Sequence, residues 1–148
     1  MKPAIEGRAN IATGDNQASD ILIREQYFKT MGIPLVKGRA FTDKDSGAST
    51  PVVVISQSLS RRFFPNEDPI GKRLSLAERS PMTCCTSAAP VENVWREIVG
   101  VAADVRQASL EEQPAMTIYR PYTQIVEHDM YLMVRARSAA DAARLRTR

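Results

Sequence analysis

Apolar and polar positions do not alternate through Val52-Val53-Val54-Ile55. An unbroken β-branched run has no wet face. It predicts a strand buried on both sides, in a mixed or parallel sheet covered by helices. Ser56 follows as a suitable N-cap, since its hydroxyl can accept from an orphan amide of the next turn. Leu59 and Phe63 then recur at i and i+4 with Arg61 and Arg62 turned outward, which predicts a helix over 57–64 ended by Pro65 to Pro69. Upstream, Ile21-Leu22-Ile23 predicts a short strand. Tyr27, Phe28, Met31 and Ile33 follow at near-helical spacing, with Gly32 stopping the turn and Pro34 forbidding its continuation. Gly38 and the acidic stretch Asp43-Lys44-Asp45-Ser46-Gly47 break the chain again. Residues 1–19 read as an irregular or edge-strand start.

Further strands are expected over Gly71–Leu76, Trp95–Val105, Met116–Tyr119 and Met130–Ala136. Gly100 inside the second of these predicts a bulge or a close backbone approach. Residues 77–93, rich in Ser, Thr, Ala and Pro, read as a loop. Ser138 to Asp141 has capping-box spacing and predicts a helix over 138–148. The pattern amounts to about six strands and three helices, an α+β fold with a mixed β-sheet and a few packing helices. At 148 residues the chain is one domain or two small lobes.

Charge and composition narrow the function. The chain carries a formal net charge of +3, yet residues 135–148 hold five arginines against the single acid Asp141. The basic balance therefore belongs to the tail. Nucleic-acid binding would want a broad basic face with interleaved aromatics, so no nucleic-acid partner is expected. No apolar run approaches the ~18 residues of a membrane span, and the first 30 residues lack a signal-peptide core. Cys84 and Cys85 are adjacent, which suits neither a zinc site nor an unstrained disulfide.

Candidate chemistry is sparse. His128 is the single histidine, in the polar stretch Val126 to Asp129. A Cys84–His128 dyad is therefore the sole cysteine arrangement available, and an enzyme using Cys84 is the weakest reading. The acid pairs Asp43/Asp45, Glu67/Asp68 and Glu111/Glu112 fall in turns, where solvation explains them. Asp43-x-Asp45-x-Gly47 lacks the later glutamate of a calcium loop. No Gly-x-Ser-x-Gly elbow and no phosphate-binding loop occur. The chain is read as non-enzymatic, with no cofactor and no metal. Gly38-Arg39-x-Phe41 is either an arginine that holds two lobes or a partner by paired bonds, or a turn glycine beside an arginine packed on Phe41. Asp104 and Arg106 close a strand and suit pairing with a neighbouring element. Tyr119 and Tyr122 flank Pro121 either as a partner surface or as a core cap.

The segment Tyr27-Phe-Lys-Thr-Met-Gly-Ile-Pro-Leu-Val-Lys-Gly-Arg-Ala-Phe41 resembles the MacB-like periplasmic core domain of ABC-transporter permeases, the FtsX-like permease family. The likeness continues in order through Asp45–Ile55, Ser58–Phe64, Asp68–Leu74, Ile98–Arg106 and Ile118–Tyr122, and more faintly at Ile5-Glu6-Gly7-Arg8. It covers most of residues 20–137. The resemblance implies an extracytoplasmic domain on the periplasmic side of the inner membrane, without an active site of its own. It implies structural roles for Tyr27, Phe28, Gly32, Gly38, Arg39, Phe41, Pro69, Gly71, Gly100, Asp104 and Pro121. Its implied partners are the permease's transmembrane helices and a cytoplasmic ATPase subunit or domain, with room for a periplasmic partner protein and a homodimer in the full transporter. On this reading residues 1–148 are a fragment whose 138–148 helix runs toward a transmembrane helix. The alternative is a stand-alone soluble binding module.

Lacking any glycine-rich anion loop ahead of a helix, the purified chain is expected neither to bind nor to hydrolyse ATP. Calorimetric titration checks this, and micromolar binding would contradict it.

Overall fold

The computed structural model of the chain describes residues 3–6, 17–79, 91–105, 115–125 and 133–136. Among these residues seven strands and two helices follow in the order β1 (Ala4–Ile5), β2 (Ser19–Ile23), α1 (Tyr27–Met31), β3 (Leu35–Gly38), β4 (Val52–Ser56), α2 (Gln57–Phe63), β5 (Arg73–Arg79), β6 (Val91–Ala102) and β7 (Thr117–Pro121). A 3-10 turn over Tyr122–Gln124 leaves β7. The strands form one mixed sheet in the order β1-β5-β6-β4-β7-β2, with β3 pairing on β6. The pairs β4·β6 and β2·β7 are parallel, and the others are antiparallel. This is the expected α+β class. Among the described residues no helix is long and apolar enough to cross a membrane.

All five residues of β4 are buried. Val53 and Ile55 face one apolar cluster, with Leu59 and Phe63 of α2, Phe64, Leu74, Leu76, Ile98 and Ile118. Val52 and Val54 face the other, with Phe28 of α1, Phe41, Ile23, Ala102 and Tyr119. The unbroken run is thus a strand with a core on each face. Each fully buried Val or Ile contributes about 1.5–3 kcal/mol, so this one strand anchors both halves of the interior.

The helices begin and end as the sequence predicts. Leu59 N donates to Ser56 Oγ, and Ser56 Oγ also accepts from Thr117 N at 2.9 Å. Ser58 N donates to Asp104 Oδ1 at 2.7 Å, so a second orphan amide of α2 is satisfied from the end of β6. Gly32, with φ +69°, closes α1 in the left-handed conformation, where an L side chain would be strained.

Other expectations need correction. Residues 77–93 are not all loop: β5 runs to Arg79 and β6 starts at Val91, in an antiparallel hairpin pairing Ala77 with Asn93 and Arg79 with Val91. The ladder is made by backbone groups, so polar side chains do not stop it. The strand expected at 71–76 starts at Arg73, because Gly71 holds φ +80° in a turn. β3 was not anticipated; it is short, bounded by Pro34 and Gly38, and lies on one side of β6 only. The strand expected over 130–136 does not include Met133 to Ala136, which are irregular; Met133 and Val134 are exposed and so were a poor guide to a buried strand. Cys84, Cys85, Arg106, His128 and the 138–148 helix lie outside the described residues.

Replacing Val54 with Asp is expected to abolish folding, because an unpaired carboxylate would stand where the side chain has no contact with water. Circular dichroism of the variant checks it; a cooperative melt near that of the parent would count against β4 as the anchor.

Candidate functional site

Of the residues singled out by sequence, Tyr27, Phe28 and Phe41 lie on the face of the sheet that carries α1, and Gly38 and Gly100 meet beside them. β6 bulges there. Val53 pairs with Ile98 but Val54 with Gly100, so Val99 is the extra residue. Val99 O accepts from Arg39 N at 3.0 Å, and Gly38 pairs with Gly100. A Cβ on Gly38 would overlap Val99 O and stand 2.9 Å from Gly100 Cα; a Cβ on Gly100 would overlap Arg39 O. Two backbones touch here because both positions lack side chains. Gly38 also has φ +69°, which glycine alone adopts freely.

This crossing aims Arg39 at Asp45. Its guanidinium donates to both carboxylate oxygens, at 2.7 and 2.9 Å, and to Ala40 O at 3.1 Å. Thr42 N donates to Asp45 Oδ2 at 2.8 Å. Asp45 is buried although its partner is half exposed. The Arg39 hydrogen bond foremost, then the Thr42 amide, holds the Asp45 carboxyl below the usual carboxylate range against the opposing effect of burial. The same bond raises Arg39. Arg39 makes paired bonds, but their acceptor is an acid within its own loop rather than a second lobe or a partner. Solvation in a turn does not explain Asp45.

Phe41 enters the core behind this loop. Phe28 packs edge-on against Tyr119, with ring centroids 5.0 Å apart, and lies 6.4 Å from Phe41; Tyr27 flanks Phe28 and Tyr119. Tyr119 is a core residue rather than a partner surface, and burial pushes its phenol up to about 12. Burial also raises Tyr27. Tyr122 is half-buried, with the Arg24 guanidinium 5.5 Å above its ring. Pro121 ends β7 and pairs with Ile23. Pro69 is buried and Gly71 turns the chain into β5, with Gly71 N donating to Ile98 O at 2.9 Å. Asp104 stands apart, at the start of α2.

Three polar residues at the centre of this framework were missed. Arg120 is buried and pairs with Asp20 across β7 and β2, with Nε donating to Asp20 Oδ1 at 2.7 Å and a second bond from NH2. Thr123 Oγ donates to Asp45 O. Gln124 Nε2 lies within 3.2 Å of Ser46 O, Ser49 Oγ and Thr50 O, while its Oε1 accepts from Val52 N and Arg96 NH1. The 100-residue separation of Arg120 and Asp20 leaves no local signal. Gln124 lies in a turn, where a solvated amide is the ordinary expectation.

The arrangement binds chain to chain. Among the described residues no group of three or more His, Cys, Asp or Glu could hold a metal ion. Asp20, Asp45, Asp68 and Asp104 each accept bonds from the protein itself.

The profile of the MacB-like periplasmic core domain matches residues 2–148. Over 104 residues the chain is 30% identical to the macrolide export ATP-binding/permease protein MacB of Mannheimia succiniciproducens, covering 70% of this chain and 14% of that protein. The pyoverdine export ATP-binding/permease protein PvdT of Pseudomonas aeruginosa is 27% identical over 90 residues, 61% of this chain and 11% of the relative. The chain thus spans a small part of the curated relatives it matches. The crystal structure of the periplasmic region of MacB from Actinobacillus actinomycetemcomitans superposes with a TM-score of 0.56 at 24% identity, covering 82% of this chain and 44% of that one, and shows the same fold.

Stability is expected to fall in acid through Asp45 and in alkali through Tyr119. Asp45 has a depressed folded pKa, so its contribution is full above the unfolded value of 3.8 and is lost as pH falls further. Tyr119 has a raised one, so its contribution holds below 10.0 and is lost as pH climbs toward about 12. Arg39→Ala should cost about 1–2 kcal/mol at neutral pH, since it removes paired bonds from a buried carboxylate but from a half-exposed arginine. It should also flatten the acid limb. Urea melts across pH check both; an acid limb unchanged by the substitution would refute the assignment.

Proposed function

Since this chain belongs to the family of MacB-like periplasmic core domains, we propose that it is the extracytoplasmic domain of an export-type ABC-transporter permease. The match across residues 2–148 carries this reading. The macrolide and pyoverdine export roles of the relatives support transport outward as the class of activity. In the longer protein the domain stands on the periplasmic side of the inner membrane, joined to the permease's transmembrane helices. A cytoplasmic ATPase subunit or domain moves those helices. The domain passes the movement to a substrate or to a partner protein outside, and a second permease copy completes the assembly.

What such a role asks of the domain is stiffness. A sheet cored on both faces, a strand crossing closed by two glycines, and acids bonded within the chain suit a body that moves as a unit. A stand-alone binding module would leave the family match without a reason.

Sidedness tests the proposal. In the full-length protein with Cys84→Ser and Cys85→Ser, a cysteine at the exposed position Arg62 on α2 should react with a membrane-impermeant maleimide in intact spheroplasts. Reaction only after lysis would place the domain inside and overturn the reading.

A further inference from the structure

We propose that Gln124 is a clasp that makes the 42–50 loop and the turn leaving β7 a single moving unit. The orientation of its amide is fixed by chemistry. Ser46 O and Thr50 O can only accept, and Val52 N–H and the Arg96 guanidinium can only donate. The NH2 group must therefore face the loop and the carbonyl must face β4 and β6. Glutamate could serve the donors but would repel the two carbonyl oxygens; lysine could serve the carbonyls but not the donors. Asparagine carries both functions and is one methylene shorter.

The neighbouring residue completes the grip. Thr123 Oγ donates to Asp45 O, while the Asp45 carboxylate holds Arg39. A continuous polar path runs from the Gly38–Gly100 crossing through Arg39 and Asp45 to Thr123 and Gln124, and from Gln124 back to β4 and β6. The chain leaving β7 cannot shift at 123–124 without drawing the loop with it or breaking these bonds. That this path carries motion from the membrane side rests on the function proposed above; the clasp itself rests on the bonds.

Hydrogen exchange on the 148-residue chain tests the clasp. The reporters are the amides of Thr42, Asp45 and Ser49, which are bonded to Asp45 Oδ2, Thr42 O and Ser46 O and not to Gln124. Gln124→Met removes both sides of the clasp, and Gln124→Glu removes only the loop side. Both should quicken these three amides by about tenfold or more, while amides in β4 and β6 such as Val54 and Ile98 keep their rates. Unchanged reporters would overturn the proposal. So would equal quickening in β4 and β6, which would make Gln124 a contributor to global stability alone. If the Gln124 variants do not fold, Thr123→Val opens the same grip from the side of β7 and is read in the same way. Sidedness in cells is independent of these rates, so failure of one does not imply failure of the other.

Discussion

The structure depends on one constraint: a strand that has no face to give to water. Val52 to Ile55 alternate between two apolar clusters, so each cluster must be completed by other elements. α2 closes one, and α1 with Phe41 and Tyr119 closes the other. The strand's neighbours must also satisfy its backbone on both edges, which β6 and β7 do in opposite senses. A parallel partner on one side and an antiparallel one on the other makes the sheet mixed, and the chain needs α2 and the β5–β6 hairpin to return in the parallel direction.

β6 bears the consequences. It runs beside β4 on one edge and serves β5 and then β3 on the other, so it must change course partway. The bulge at Val99 makes that change, and Gly100 permits it. Because the extra residue turns its carbonyl toward Arg39 N, the bulge also fixes where the 39–51 loop begins. Arg39, Asp45, Thr123 and Gln124 follow from that starting point. The polar framework is thus downstream of a packing requirement rather than independent of it.

The parts legible in the sequence were those with local causes. Four adjacent β-branched residues, a serine before Leu59 and Phe63, and a glycine after an aromatic turn each have a short-range physical reason, and each stands where expected. The bulge beside Gly100 and the close approach at it were legible because a glycine within a strand has few other uses. What escaped was decided at long range. β3 exists because β6 offers it an edge. The 77–79 and 91–93 arms pair because the hairpin ladder continues past the apolar residues. Gln124 and the Arg120–Asp20 pair owe their roles to neighbours 28 to 100 residues away in sequence. Sequence left Arg39 between paired bonds and a stem packed on Phe41, and it could not identify Asp45 as the acceptor, because an acid in a turn is ordinarily solvated.

The polar bonds among the described residues run from one segment of the chain to another. Here the buried carboxylate of Asp45 is met by a guanidinium fork, a hydroxyl and an amide. Asp104 is bonded to a helix terminus, and Gln124 has acceptors on one side and donors on the other. Each bond between segments raises the cost of moving one segment relative to another. Among the described residues these bonds tie the 39–51 loop, the start of α2 and the turn leaving β7 to the sheet, so that none of them shifts without straining another.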